Sequence, residues 1–420
     1  MIYLIVSIIA LLICQRKRLT NSITFCLFGL LSVSSICAFL TGRQHSLEFI
    51  DILYTIYIVV LLCILFCSFK KFGNIRQLKD NSISEQKLII LEKIITILGS
   101  IAFIISVYVL YHVMWLLLTH QTSVAEHKYQ GESDYIFSTI VPRFFVTFVN
   151  IISPLGYFCM ALHFWYLIKK DLKKSILFFV LSLLIVTSGM MGLSRSSTVQ
   201  YILTYLLIFF IIIPMLSTRV IKRFLIIGCI GGFILLYGLS KITDDKSGDV
   251  YYKHSLNEDI INIDKHPKLY SIVDYIGQWG ENAIYAMHKY DPDEKFYGLY
   301  NCNGLAVWIL NKTDDGKKIT NEIDKKLENR LGYESIVFHG LITRLVYDFG
   351  YIGAFVFIIL LVYYIKKYSP SNHTLTLRNI VALVVLLPIA ILFFAGNALS
   401  SVSLDLALLY NLIIMSFIKI

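Results

Sequence analysis

Long uncharged apolar runs recur from end to end of this chain, broken by short polar stretches, and their lengths match a bilayer. A hydrocarbon core of about 30 Å takes roughly 20 apolar residues per helix. On that ruler about eleven spans are read, near 1–14, 22–41, 50–69, 90–118, 140–168, 175–193, 198–216, 224–240, 341–365, 379–396 and 402–418. The expected fold class is an all-α, polytopic integral membrane protein. The first run is short but has neither a basic start nor a small-residue cleavage site, so it reads as an uncleaved span. The fourth is overlong and carries Glu92-Lys93, which places its start along the interface. One polar segment, 241–338, stands apart at about a hundred residues. Its aromatic clusters (Tyr251-Tyr252, Tyr275–Trp279, Phe296–Tyr300) make it too apolar for a disordered linker, so a small folded cap is expected. Within it Asp274–Lys289 has a helical pattern, with Ile276, Trp279, Ala283 and Met287 on one side. The organisation is therefore 1–240 (spans with short loops), 241–338 (cap) and 339–420 (the last spans).

Charge then orients the spans. The chain carries a formal net charge of +10. Its Lys and Arg gather in alternate short loops: Arg16–Arg18, Lys70–Lys87, Lys169–Lys174, Arg219–Arg223 and Lys366–Arg378. That positive-inside bias places the amino terminus outside and the carboxyl terminus in the cytoplasm. The basic surplus is a topology signal; without a basic groove interleaved with aromatics, nucleic acid is not an expected partner. Among the eight cysteines only Cys302 lies in the large polar segment. Cys63 and Cys67 are one helical turn apart with no His or carboxylate beside them, so no metal site or cofactor is expected. Walker, HExxH and GxSxG patterns are absent, which disfavours ATP-driven transport.

The richest stretch is His339–Gly353, HGLITRLVYDFGYIG, where the polar segment ends and the chain re-enters the bilayer. At about 100° per residue, an unbroken helix puts His339 and Gly350 within roughly 20° of one another, Gly353 close by. A titratable ring then stands at the water end of a side-chain-free groove for a helix or a lipid tail. His339 can accept a hydroxyl proton, or simply cap the helix. Arg344 and Asp348 share a face as an i,i+4 pair, either an internal ion pair or a pair that positions a phosphate. Arg195 sits in a tight turn of small residues (Gly189 to Thr198) on the side where positive charge is rare. A guanidinium there suits a diphosphate, or snorkels to headgroups. Arg143 and Arg330 either extend a cationic lining or are solvated charges. Tyr275, Trp279 and Asn282 have the flat-plus-polar character that grips sugar rings, or are cap core. Asn397 and Asp405 are too isolated to assign.

The span layout, the large outward segment before the His339 span, Ser194-Arg195-Ser196-Ser197 and Tyr347-Asp348-Phe349-Gly350 together resemble the O-antigen polymerase family. The related O-antigen ligases carry a His, then Asn, Ser or Gln, nine residues, a Gly, two residues and a small residue. His339, Gly350 and Gly353 match, and Gly340 departs at the second position. An Arg-x10-Gly pattern described for some polymerases does not follow Arg143, Arg195 or Arg344. The resemblance implies a GT-C-like, metal-independent glycosyltransferase of the bacterial inner membrane, its active site facing the periplasm. It would move a growing glycan from undecaprenyl diphosphate onto the next lipid-linked repeat unit, with membrane lipid, a chain-length regulator and a flippase as candidate partners. In that frame Arg195, with Arg344 and Arg143, serves the diphosphate, His339 serves the acceptor hydroxyl, and Asp348 orients Arg344 or acts as the base. A lipid-linked oligosaccharide flippase or other transporter, and the ligase, remain the alternatives.

Overall fold

A computed structural model describes residues 2–17, 19, 22–40, 48–73, 75–79, 84–119, 137, 139–222, 273–300, 304–311, 313–332, 339–395 and 401–418, with the Arg195 side chain excepted. The expected span at 224–240, the Tyr251-Tyr252 pair, Cys302 and Asn397 lie outside the described residues. Along the chain run α1 (Ile2–Arg16), α2 (Ile23–Leu40), α3 (Phe49–Ser68), α4 (Glu85–Leu118), α5 (Arg143–Ile152), α6 (Leu155–Ile168), α7 (Leu172–Ser182), α8 (Leu184–Met191), α9 (Arg195–Ile212), α10 (Trp279–His288), α11 (Gly304–Leu310), α12 (Asp314–Leu331), α13 (Gly340–Lys367), α14 (Leu377–Ile391) and α15 (Val402–Phe417). The strands β1 (Gln77–Leu78) and β2 (Thr374–Leu375) pair in parallel, Gln77 opposite Thr374.

Among the described residues six helices are long and apolar enough to cross a membrane: Ile23–Leu40, Phe49–Lys71, Glu85–Leu118, Leu172–Met191, Ser196–Met215 and Gly340–Lys367. The pair α5 and α6, bent by 43°, brings the number to seven if it counts as one span, and α1, α14 and α15 are shorter apolar helices. This is an all-α chain built to lie in a bilayer. Ser153-Pro154 marks the bend, as expected where proline removes a backbone donor and crowds the preceding turn.

The chain divides into two compact units: 1–74, 257–373 and 385–406 form the first, and 75–256, 374–384 and 407–420 the second. In the second, α6 is the central helix, buried almost all round. Several of its polar side chains are paired, as the low dielectric favours, while the buried Trp165 Nε1 has no hydrogen-bond partner. His163 Nδ1 lies 2.9 Å from the Ser175 carbonyl and Nε2 lies 3.0 Å from the Tyr205 hydroxyl, while Gln200 Nε2 donates to Tyr157 Oη at 2.7 Å. Glu92, buried in α4, accepts from the Tyr166 hydroxyl and from Lys174 Nζ at 2.9 Å. A carboxylate in that long helix is thus held by the basic Lys169–Lys174 turn.

The first unit holds α1 to α3, the described part of the expected cap, and α13. The cap is helical. Thr313 caps α12, its Oγ1 accepting from Gly316 N at 3.1 Å, and Gly332 ends the helix in the left-handed region (φ 74°). Leu327 and Leu331 of α12 share a core with Ala286, Phe296, Tyr300 and Tyr347. The helix expected over Asp274–Lys289 is present as 273–277 followed by α10.

The decisive local feature is in α13, which is not one continuous helix. Gly350 takes φ 73°, ψ 175°, a conformation only glycine adopts readily, and breaks the span inside the apolar region. The smooth groove expected along an unbroken helix is therefore not formed. Gly350 is buried, and a Cβ there would stand 3.2 Å from Tyr290 Oη and 3.4 Å from Lys295 Cε. A cap tyrosine and lysine, not a lipid tail, occupy that side. Carbonyls in the turn before a helix break have no intrahelical partner. Here Tyr347 O and Asp348 O accept from Phe296 N (3.2 Å) and Tyr297 N (3.0 Å). After the break, Tyr351 O accepts from Tyr57 Oη at 2.5 Å.

Replacing Gly350 with Ala should lower stability by about 1–3 kcal/mol, since the strained φ and the Tyr290 contact act together. Gly29→Ala in α2, where a Cβ meets nothing within 4 Å, should be neutral or stabilising. Thermal unfolding of both variants in one detergent checks this; equal melting temperatures would remove the break as a specified feature.

Candidate functional site

The site is assembled where the segment 296–300 lies against the first part of α13. Tyr300 makes three separate contacts there. Its backbone N–H donates to Asp348 Oδ1 at 2.9 Å, its hydroxyl lies 3.0 Å from His339 Nδ1, and the Arg344 guanidinium carbon stands 4.9 Å from its ring centroid. His339 is the residue before the helix, and Gly340 (φ 76°) turns the chain into it. Trp279 explains the glycine: a Cβ at position 340 would come within 2.9 Å of the indole. The departure at Gly340 from the ligase pattern is thus a packing requirement of this chain. Leu341 N then donates to Phe393 O at 2.8 Å, tying the start of α13 to the segment that follows α14.

These groups are deeply buried: His339 is 1%, Arg344 5%, Asp348 0% and Tyr300 6% exposed. Burial, reinforced by the positive charge of Arg344, pushes the His339 imidazole down from its usual 6.5 to about 3. The ring is therefore neutral at pH 7. The Tyr300 hydroxyl can donate to Nδ1 or accept from Nδ1–H, and in the second arrangement Nε2 is the basic nitrogen. Burial, with Asp348 adding to it and Arg344 opposing, raises the Tyr300 phenol above 10, so it stays protonated. Arg344 is the unusual group. Among the described residues its contact is the Tyr300 ring and not an ion pair with Asp348, and its Nε has no hydrogen-bond partner. A buried guanidinium with an unsatisfied donor costs stability and is fitted to receive an anion. Of the two readings of Arg344 and Asp348, the internal ion pair is not formed; each side chain instead contacts Tyr300, Asp348 Oδ1 through the backbone amide and Arg344 over the ring.

The remaining sequence candidates divide. Trp279 is core: 3% exposed, its Nε1 donates to Ser34 Oγ at 2.5 Å, and its ring meets Tyr3 (4.9 Å) and Phe393 (5.3 Å). It supports the site from below and offers no open face to a sugar. Asn282 Nδ2 lies 3.4 Å from Gln278 Oε1 on α10, and Tyr275 is half-buried in the preceding turn. Arg330 pairs with Glu294 and lies 3.8 Å from Asp291 Oδ2, so its charge is already balanced by cap carboxylates. Asp405 Oδ2 accepts from Leu305 N at 2.9 Å. Arg143 and Arg195 belong to the second unit. Arg143 is exposed at the start of α5, and Arg195 is the first residue of α9, after Ser194 in an extended conformation. Gly189 faces Ser197 where α8 and α9 approach, with no room for a Cβ.

Tyr300 is the residue that spacing did not single out. It lies in the Phe296–Tyr300 run, read as one cap aromatic cluster among others, far in sequence from His339. Comparison of the chain with protein-family models, curated proteins and solved structures gives no match.

The His339 shift makes a directional prediction. Its folded pKa lies below the unfolded value, so the unfolded chain takes up the proton first as pH falls. Stability is complete above about pH 6.5 and is lost progressively toward pH 3. His339→Gln should flatten that acid limb relative to wild type in unfolding measured from pH 7 to 4. Parallel curves would show that the imidazole is not held in a buried, neutral state.

Proposed function

We propose that the protein is a membrane glycosyltransferase of the O-antigen polymerase type, joining undecaprenyl-diphosphate-linked oligosaccharide repeat units on the outer face of a bacterial inner membrane. The observation that carries this reading is the buried Arg344 guanidinium, unsatisfied at Nε and set beside a neutral His339 by Tyr300. Transfer of a glycan from a lipid diphosphate needs two things from the protein. Fixed cations must meet the charge that develops on the leaving diphosphate, and the accepting hydroxyl must be oriented and deprotonated. Arg344 supplies the first and His339 the second. Asp348, through the Tyr300 amide, positions the tyrosine that holds both.

The same electrostatics link the two roles. The positive charge of Arg344 is one of the forces that depress the His339 pKa. An anionic diphosphate bound to that guanidinium cancels the effect and raises the affinity of the imidazole for a proton. Donor binding thereby activates the acceptor base. The cluster is closed in this structure, so the diphosphate reaches Arg344 only when covering side chains are displaced. The proposed arrangement is about eleven spans with the amino terminus outside, which puts the start of α13 on the periplasmic side. The large 241–338 segment lies there too. A flippase or other transporter is the reading from another class. Against it, its charged sites are expected near the bilayer midplane on repeated halves, whereas His339 and Arg344 stand at the start of α13.

Surface glycan from cells lacking the protein separates these readings on one gel. A polymerase null carries a single repeat unit on the core, whereas a flippase or ligase null carries none. Complementation with Arg344→Ala or His339→Ala should leave single-unit glycan while the protein still inserts, a loss of about two orders of magnitude or more in chain extension. Long-chain glycan with both variants contradicts the assignment.

A further inference from the structure

A second cluster in the first unit has no role in the chemistry above. It lies at the other side of the helix break, where α3, the end of α10 and α13 meet. Tyr54 and Tyr351 stack with ring centroids 6.5 Å apart and planes 8° from parallel, and Tyr290 stands edge-on to Tyr351 at 5.4 Å. His288 is edge-on to Tyr54 at 5.2 Å, and its Nε2 lies 2.5 Å from Oδ1 of the buried Asp51. Asp51 is fixed in turn by Glu48 N, 2.9 Å from Oδ2, at the first turn of α3. Lys295 completes the group beside Tyr290, at the edge where Gly350 leaves no side chain. The three tyrosines are half-buried, while His288 and Lys295 are exposed.

This arrangement differs from ordinary interfacial tyrosines. Tyr363 and Tyr364, next to Lys366 and Lys367 at the far end of α13, are 58% and 43% exposed and face outward as membrane-surface anchors do. Tyr54, Tyr290 and Tyr351 instead turn to one another in a half-exposed aromatic cluster, Tyr54 parallel to Tyr351 and Tyr290 and Tyr57 edge-on to it, edged by an oriented imidazole and an ammonium. A sugar ring has the matching chemistry, with an apolar C–H face for an aromatic ring and hydroxyls around its rim for charged donors and acceptors. The tyrosines also border the first cluster. Tyr290 is edge-on to Tyr347 at 5.6 Å, and Tyr347 to Tyr300 at 5.9 Å.

We infer that Tyr54, Tyr290 and Tyr351, with the Asp51-held His288 and Lys295, form a saccharide-binding platform at the break in α13. This rests on the glycosyltransferase reading and adds to it the surface that holds the glycan while the diphosphate engages Arg344.

The test measures equilibrium binding to the full-length protein in lipid nanodiscs with two probes. One is the free repeat-unit oligosaccharide released by mild acid from the source cells' lipid-linked donor; the other is undecaprenyl diphosphate. Tyr54→Leu and Tyr351→Leu keep apolar bulk but remove the flat ring, and should each weaken oligosaccharide binding by roughly tenfold. Tyr54→Phe should restore it to within about threefold, since stacking survives, and the diphosphate probe should bind all three variants as it binds wild type. Unchanged oligosaccharide binding in both Leu variants overturns the platform, while loss of the diphosphate probe in Arg344→Ala upholds the glycosyltransferase reading in the same experiment. Loss of both probes in the Leu variants marks the tyrosines as core packing and also overturns the platform. So does an effect that appears only when the nanodisc headgroups are changed, which would mark a lipid anchor. Failure of wild type to bind either probe overturns the platform and the glycosyltransferase reading together.

Discussion

The break at Gly350 is the constraint on which the rest of the first unit depends. A membrane helix satisfies its own backbone, so a segment from outside the helix has nothing to hold on to. By turning at Gly350 the helix releases carbonyls in the preceding turn, and Tyr347 O and Asp348 O are taken up by the amides of Phe296 and Tyr297. That seats the 296–300 segment and delivers Tyr300, whose amide reaches the Asp348 side chain. The same break lets Tyr290 and Lys295 approach the helix axis. Both clusters in this unit are consequences of one backbone conformation.

The energetic cost of the arrangement is concentrated in Arg344. An i,i+4 ion pair with Asp348 was open to it, yet the Asp348 carboxylate accepts from the Tyr300 amide and Arg344 lies over the Tyr300 ring. What remains is a cation over an aromatic face, with a donor left unmade. Some buried groups elsewhere in the described residues are fully paired. His163 has partners on both ring nitrogens, and Glu92 accepts from both Tyr166 and Lys174. Other buried donors are also without a hydrogen bond, Arg330 Nη1 in the first unit and Trp165 Nε1 and Arg378 Nε in the second, so what sets Arg344 apart is its place over Tyr300 and next to His339.

Much of this was legible in the sequence, and the limits have physical causes. Hydropathy marked the long apolar helices because desolvation acts on each run independently, but it read 140–168 as one span and gave no sign of the bend at Ser153-Pro154. His339, Arg344 and Asp348 were visible as a polar patch at the entrance to one apolar run. Their partners were not, because the contact to Tyr300 is set by how the cap folds back, which no local period encodes. Gly350 was read as a gap in a helical face. Its actual role is a positive φ, and a glycine in an apolar run is equally compatible with either. Trp279 looked like a sugar platform by composition and is a core wedge against Gly340. The tyrosines that do cluster at a half-exposed surface, Tyr54, Tyr290 and Tyr351, come from separate elements and share no motif.

The most direct measurement is turnover by the purified full-length protein in nanodiscs, supplied only with the undecaprenyl-diphosphate-linked repeat unit. The account predicts products of two and more repeat units and one undecaprenyl diphosphate released per bond, at the same rate with a metal chelator present. Failure of purified, folded protein to condense the units or release the lipid diphosphate would contradict it.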